Sequence, residues 1–336
     1  MKTNKRMIAL VLALSALSLT SCAAMQALAR GDVGGAIVEA GKTVGEIAAA
    51  AIEDCANGKV SQEYTAEQEY YIGRGVSGAI MVRYPATEAN SDPRRRQLAY
   101  LNQMAGYIEA MSYGVDRKNL GGYVDRSEEE WERQSRFALY KGVRVGLLES
   151  KEVMAYATPG GFIWISQGAV NMCQNEDELA AIIAHEMGHI VMNHGMDAYR
   201  KATEGKITDS KAFQAFSKEM GPVVGNFAEM VGGFADNLIE SGYNKDQEYE
   251  ADNFGTRALA AAGYDPNAMA RMLERVEAYE KSHKDNDKFL SNHPNPESRI
   301  EKVKDLIKNP KNNLKAPAGD PGRTTREKRF KEVWGR

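Results

Sequence analysis

His185, Glu186 and His189 form an HExxH within Ala184-His185-Glu186-Met187-Gly188-His189-Ile190-Val191-Met192-Asn193-His194. On a helix, residues four apart lie one above the other, so both imidazoles reach a single metal ion. Glu186 then stands where a general base for an attacking water is needed. The chain has 5 histidines in 336 residues, and His185, His189 and His194 all fall in this stretch. His194 lies about 140° around a helix from His189, which makes it a supporting or packing residue rather than a ligand.

Two histidines leave a tetrahedral catalytic site incomplete; a third protein ligand and one open position are expected. A carboxylate on a separate helix is the natural source, and Glu248 in Glu248-Tyr249-Glu250-Ala251-Asp252 is the choice. Asp252 lies one turn further along the same face, where it can hold an imidazole N–H. Glu250 points away from that face.

Such a site needs rigid supports. Asn175-Glu176-Asp177-Glu178 reads as a capping box, and the helix it starts carries Leu179, Ile182, Ile183, Ile190 and Val191 as its core face. Asn244-Lys245-Asp246-Gln247 starts the helix that holds Glu248, and Gly263 with Asp265-Pro266 separates it from another. The proline-stiffened loop Ser291-Asn292-His293-Pro294-Asn295-Pro296-Glu297-Ser298-Arg299 feeds a last helix ending near Lys308. Upstream, Thr65-Ala66-Glu67-Gln68 and Asp92-Pro93 each open a helix.

From about Tyr140 the period changes to that of strands, around Val143, Val145 and Leu147, then 153–157, then 162–165. A small antiparallel sheet is expected. The Pro159-Gly160-Gly161 corner leads into Phe162 and Ile163 and suggests an open sheet edge beside the active-site helix, able to take an extended peptide as an added strand. A plain hairpin turn is the alternative. Between 213 and 234, Phe and Met recur near helical spacing across Gly221-Pro222, as a core stripe or as a mobile lid. The fold class is therefore α+β and mostly helical.

A hydrophobic content of 43% allows a substantial core, and a net charge of -3 gives no electrostatic case for nucleic acid as a partner. Lys2, Lys5 and Arg6 precede an apolar run at 7–19, too short for a permanent transmembrane helix, so residues 1–21 read as an export signal. Leu19-Thr20-Ser21-Cys22 resembles the lipobox of bacterial lipoproteins, which implies a lipidated Cys22. Ala23 is not the aspartate of inner-membrane retention, so the resemblance implies an outer-membrane lipoprotein facing the periplasm of a Gram-negative bacterium. In that oxidising compartment Cys55 and Cys173 either form a disulfide or stay as two thiols. Residues 22–60 read as an Ala/Gly-rich tether with a marginal helix, and 309–336 as a disordered basic tail.

HExxH followed by a helix with ExEAD resembles the gluzincin zinc metallopeptidases of the group containing HtpX and the CAAX prenyl proteases, in its soluble periplasmic lipoprotein branch. The resemblance runs from about Thr65 to Ile307 and includes Pro159-Gly160-Gly161 and the HPxPxxR at 293–299. It implies a zincin-like peptidase domain over 61–308, one Zn2+ held by His185, His189 and Glu248, and Glu186 as general base. It makes Arg299 a candidate for oxyanion stabilisation, against a surface arginine, and lets His293 take the fourth metal position as an inhibitory plug, against a helix-capping role. Misfolded or misassembled envelope proteins are the implied substrates, with a chaperone or assembly factor as the competing reading.

Overall fold

A computed structural model describes residues 64, 66–113, 115, 139, 141–203, 222–282, 293, 296–315 and 319–335. The export signal, Cys22, the 22–60 tether, Cys55 and the charged segment at 127–136 lie outside the described residues. The chain divides into two compact units, residues 1–83 with 196–236, and residues 84–195 with 237–336.

In the first unit, α1 (Ala66–Arg83) buries Tyr70, Ile72, Val76 and Ile80. The unit also takes most of α5 (His194–Thr203) and of α6 (Pro222–Ser241). Tyr199 meets Phe234 edge-on at 5.9 Å, and Val231 is buried, so the apolar stripe is core where it is described.

The second unit carries the chemistry. Here α2 (Asp92–Ser112) packs with Leu101, Ala105 and Ile108 against β1 (Arg144–Leu148). The chain continues through β2 (Ala155–Thr158), a 3-10 turn (Pro159–Gly161), β3 (Phe162–Ser166) and α3 (Gln167–Met172). Next come α4 (Glu176–Val191), which carries the HExxH, and α7 (Lys245–Ala261), which carries Glu248. Outside them lie α8 (Asn267–Ser282) and α9 (Pro296–Lys308).

The sheet corrects two expectations. Its order is β1-β3-β2, and β3 runs antiparallel to β2 but parallel to β1, so the sheet is mixed rather than wholly antiparallel. Only β2 and β3 are joined by a tight turn, with Gly160 at φ 71° and Gly161 at φ 98°. The longer 149–154 link lets β1 skip its sequence neighbour and pair with β3. Phe162 and Ile163 therefore lie on the central strand, paired with Thr158 and Ala157 on one side and Arg144 and Val145 on the other. The strand beside the active-site helix is β2, at the sheet's edge.

Both active helices start where their caps predict. Asn175 accepts from Glu178 N at 3.0 Å, while the Glu178 carboxylate reaches one residue further back than a capping box, to Gln174 N. Asn244 and Gln247 close a full capping box. Gly188 and Gly255 sit where α4 and α7 cross: a Cβ at Gly188 would lie 2.7 Å from the Ala251 Cα, and one at Gly255 3.1 Å from the Ala184 carbonyl carbon. Their bare backbones set how closely the two helices approach. Around that crossing, Leu179, Ile183, Met187, Phe254, Leu259, Met269 and Leu273 are completely enclosed. Each such side chain contributes about 1.5–3 kcal/mol of burial.

The end of the chain also departs from expectation. Instead of a structureless tail, α10 (Arg323–Trp334) lies on α2 and α4 with Phe330 only 2% exposed. Arg329 pairs with Glu176 in the first turn of α4, and Arg326 pairs with Asp177 at 2.7 Å. Phe330 joins the main core cluster with Val333 and Trp334 packed against it, and the guanidinium-carboxylate pairs add to that contact. Cys173 is buried with its Sγ 3.4 Å from the Ala169 carbonyl oxygen; its sequence-proposed partner is outside the described residues.

Candidate metal centre

The crossing of α4 and α7 brings His185, His189 and Glu248 together, and the loop before α9 adds His293; one donor atom from each lies within 4.8 Å of all the others. The two imidazoles present Nε2 to a shared point, 3.0 Å apart. Glu248 faces them with Oε1 3.3 Å from His189 Nε2 and Oε2 3.5 Å from His185 Nε2. His293 turns Nδ1 to the same point, 3.1 Å from both Glu248 oxygens and 3.4 Å from His185 Nε2. Tetrahedral zinc with ligands about 2.0–2.1 Å away places ligand atoms about 3.3 Å from one another. The donor set and spacing fit that ion.

Every ring nitrogen turned away from this point meets a partner. His185 Nδ1 is 2.9 Å from Asp252 Oδ1, His189 Nδ1 is 2.9 Å from His194 Nδ1, and His293 Nε2 is 3.4 Å from the Ala155 carbonyl oxygen. The outward nitrogens are thus tied back, leaving the inward ones to converge.

Arg299, 1% exposed, lies behind the ligands. Its Nε and Nη2 donate to the two Asp252 oxygens at 2.7 and 2.8 Å, and its Nη1 is 2.7 Å from Glu248 Oε2. It is neither a surface arginine nor turned toward open space. The sequence reading as an oxyanion donor meets a guanidinium already committed to two carboxylates.

Electrostatics favour a cation. Glu186, Glu248, Glu250 and Asp252 are all buried, and Arg299 is the fixed positive charge among them. Burial pushes Glu248 up, but His293 and Arg299 beside it bring its carboxyl well below the usual range. Asp252 is likewise lowered, burial being overcome by Arg299. Burial and Arg299 oppose a proton on His185, yet hydrogen bonds to Asp252 and Glu248 raise it to about 9. A divalent cation would draw on the same carboxylate field. Burial holds His189 well below its usual range, which favours the neutral imidazole a metal would need, and raises Glu186. Glu186 Oε2 is buried without a hydrogen-bond partner, and Oε1 is 3.6 Å from His293 Nε2.

Three contributions were not legible in sequence. Tyr243 stacks on His189 at 4.0 Å between ring centroids and donates its hydroxyl to the Ala157 carbonyl at 3.1 Å, tying the metal helix to the edge strand. Ala155 offers its carbonyl to His293. Glu250, away from the ligand face as expected, is nonetheless part of the site: its Oε2 is 3.0 Å from His194 Nε2. His194 reaches that position because α4 ends at Val191 and Asn193 takes φ 59°, a left-handed conformation asparagine tolerates. The break resets the helical offset and brings His194 back against His189.

A buried, convergent set of imidazole and carboxylate donors on two crossed helices defines a metal-site protein of the HExxH class. The chain belongs to peptidase family M48, whose profile matches residues 122–307. Over 155 residues it is 29% identical to the mitochondrial metalloendopeptidase OMA1 of Schizosaccharomyces pombe, covering 46% of this chain and 43% of that protein. Over 161 residues it is 31% identical to a putative beta-barrel assembly-enhancing protease of Vibrio cholerae, covering 46% and 32%. Over 159 residues it is 26% identical to the metalloprotease LoiP of Escherichia coli, covering 47% and 60%. The chain thus matches less than two thirds of each relative's length.

Proposed function

We propose that this protein is a zinc-dependent endopeptidase, anchored through a lipidated Cys22 to the periplasmic side of the outer membrane, that cleaves misfolded or misassembled envelope proteins. The observation that carries the proposal is the convergence of His185, His189, Glu248 and His293 on one buried point with Glu186 beside it. The names of the relatives, a beta-barrel assembly-enhancing protease and LoiP, support the substrate class. Among the described residues no helix is long and apolar enough to cross a membrane, which is compatible with a lipid anchor.

In this reading His185, His189 and Glu248 hold the zinc. Bound zinc supplies Lewis acidity, acidifying water and polarising a carbonyl. Glu186 takes the proton from the attacking water as its oxygen bonds the peptide carbon, then gives that proton to the leaving amine as the C–N bond breaks. Burial raises the affinity of Glu186 for a proton, the direction a proton-accepting role calls for. Asp252 orients His185, and Arg299 positions Asp252 and Glu248 rather than touching substrate. The edge of β2, with the Ala155 and Ala157 carbonyls near the donors, replaces the expected 160–163 segment as the strand to which an extended substrate adds.

His293 acts as a plug. It faces Glu248, Glu186 and the Ala155 carbonyl, so it occupies both the fourth position and part of the substrate edge. The same contacts favour a second reading, an assembly factor for outer-membrane proteins whose site stays mostly closed. Casein or unfolded outer-membrane protein should be cleaved by the zinc-loaded protein, faster by His293→Ala and not by Glu186→Gln. If wild type and His293→Ala are both inert with zinc bound, the protease reading fails.

A further inference from the structure

The two metal-binding imidazoles of the HExxH are supported differently. His185 hands its outer nitrogen directly to a carboxylate, Asp252, at 2.9 Å. His189 meets another imidazole instead, His194, and only beyond it a carboxylate, Glu250. We propose that Glu250 and His194 form a positioning relay that fixes His189 as its Nδ1–H tautomer and so aims the Nε2 lone pair at the metal.

The proton assignment follows from the contacts. A carboxylate oxygen accepts, so the hydrogen in the 3.0 Å contact between His194 Nε2 and Glu250 Oε2 is assigned to His194. A neutral His194 then has a bare Nδ1, and the 2.9 Å separation of the two Nδ1 atoms requires one hydrogen between them. That hydrogen belongs to His189. Its Nε2, 3.0 Å from His185 Nε2 and 3.3 Å from Glu248 Oε1, is left as the ligand atom. In the opposite assignment His194 donates from both nitrogens, and His189, donating from Nε2, cannot bind metal.

The chain builds this relay from both faces of α7. Glu248 and Asp252 share one face, while Glu250, two residues from each, falls on the other. The left-handed turn at Asn193 carries His194 into the space between that second face and His189. His189, His194 and Glu250 are all fully enclosed, so bulk water does not compete for the two hydrogen bonds. Tyr243, stacked at 17° on His189, restrains the ring plane, leaving the relay to set the ring's proton.

This inference rests on the zinc reading above, and its test separates the two. In zinc-loaded protein labelled with 15N-histidine, the 5 histidines are few enough to assign individually. The expected spectrum has His189 protonated at Nδ1 and His194 at Nε2. Glu250→Ala should weaken zinc affinity, measured by competition with a chelator, by about 10–100-fold, the range for loss of a partner behind a metal-binding histidine. Glu250→Gln keeps shape and an acceptor oxygen; it should preserve both tautomers yet weaken zinc measurably, though less than Glu250→Ala does, which a purely space-filling role would not do. His194 protonated at Nδ1 in the wild type overturns the relay, and this holds even if Glu250→Ala does not fold. Wild-type zinc affinity in folded Glu250→Ala or in Glu250→Gln overturns it as well. A wild type that binds no zinc defeats the metal reading itself, a result visible before any variant is compared.

Discussion

Asp252 serves His185 and Arg299 at once: its Oδ1 is 2.9 Å from His185 Nδ1, and both its oxygens accept from Arg299, at 2.7 and 2.8 Å. The carboxylate beside the His185 imidazole is itself held by a guanidinium arriving from α9, more than 40 residues away in sequence. The metal centre is therefore also a joint between α4, α7 and α9.

Removing Arg299 should unfold that joint. Arg299→Ala leaves Glu248 and Asp252 buried without their fixed counter-charge, a loss of about 3–5 kcal/mol for breaking a buried pair. Arg299→Lys restores the charge but not the two parallel hydrogen bonds, so it should recover only part of the loss. Urea denaturation of the zinc-loaded proteins measures both, and a wild-type midpoint for the alanine variant would contradict this account.

Glu186→Gln should separate binding from turnover. The amide cannot take a proton from water, so cleavage should fall by at least about 100-fold, the lower bound for a general base. Zinc stoichiometry should stay that of the wild type, because none of the converging donors is changed. Parallel loss of metal and activity would mean that Glu186 is structural.

Gly188→Ala probes the helix crossing. The new methyl would stand 2.7 Å from the Ala251 Cα, so α4 and α7 must part. A loss of about 1–3 kcal/mol is expected for such overpacking, together with weaker zinc binding, since the same crossing sets the ligand spacing. Thermal melts and chelator competition on one preparation report both effects; a stability loss with unchanged zinc affinity would uncouple them.

Chelation should lower the melting temperature. A ligand bound only to the folded state stabilises it by about 2.7 kcal/mol at a hundredfold excess over its dissociation constant. Zinc removal should therefore destabilise the protein and leave buried carboxylates to be compensated by protons. Calorimetric scans with and without chelator decide this, and coincident melts would argue against a resident metal.

Phe330→Ala tests whether the last helix belongs to the domain. Phe330 is 2% exposed in the main core cluster, and truncating a buried phenylalanine costs about 3–5 kcal/mol. A structureless tail would register no change in the same denaturation experiment.

Much of the centre was legible in the chain itself. HExxH set His185 and His189 on one face because spacing along a helix is a local, periodic property, while Glu248 was chosen among the acids of the ExEAD helix and supported by resemblance; the three donors come together in the structure. The caps at Asn175 and Asn244 were legible for the same reason, being hydrogen bonds within one turn. The HPxPxxR loop drew attention to His293 and Arg299 only through resemblance; the residue types alone left a helix cap and a surface charge as equal alternatives.

Sequence by itself determined the helix periods, the two caps and the pairing of His185 with His189, because each is decided over a few neighbouring residues. Tertiary structure alone decided the rest. It placed β3 between its neighbours, so that β2 rather than Phe162 and Ile163 forms the sheet edge near the donors. It turned Arg299 onto Asp252 and Glu248, brought Glu250 to His189 through His194, and folded the basic tail onto the acidic first turn of α4. All four depend on which buried charges and open hydrogen-bonding groups meet across long stretches of chain, and no local period records that.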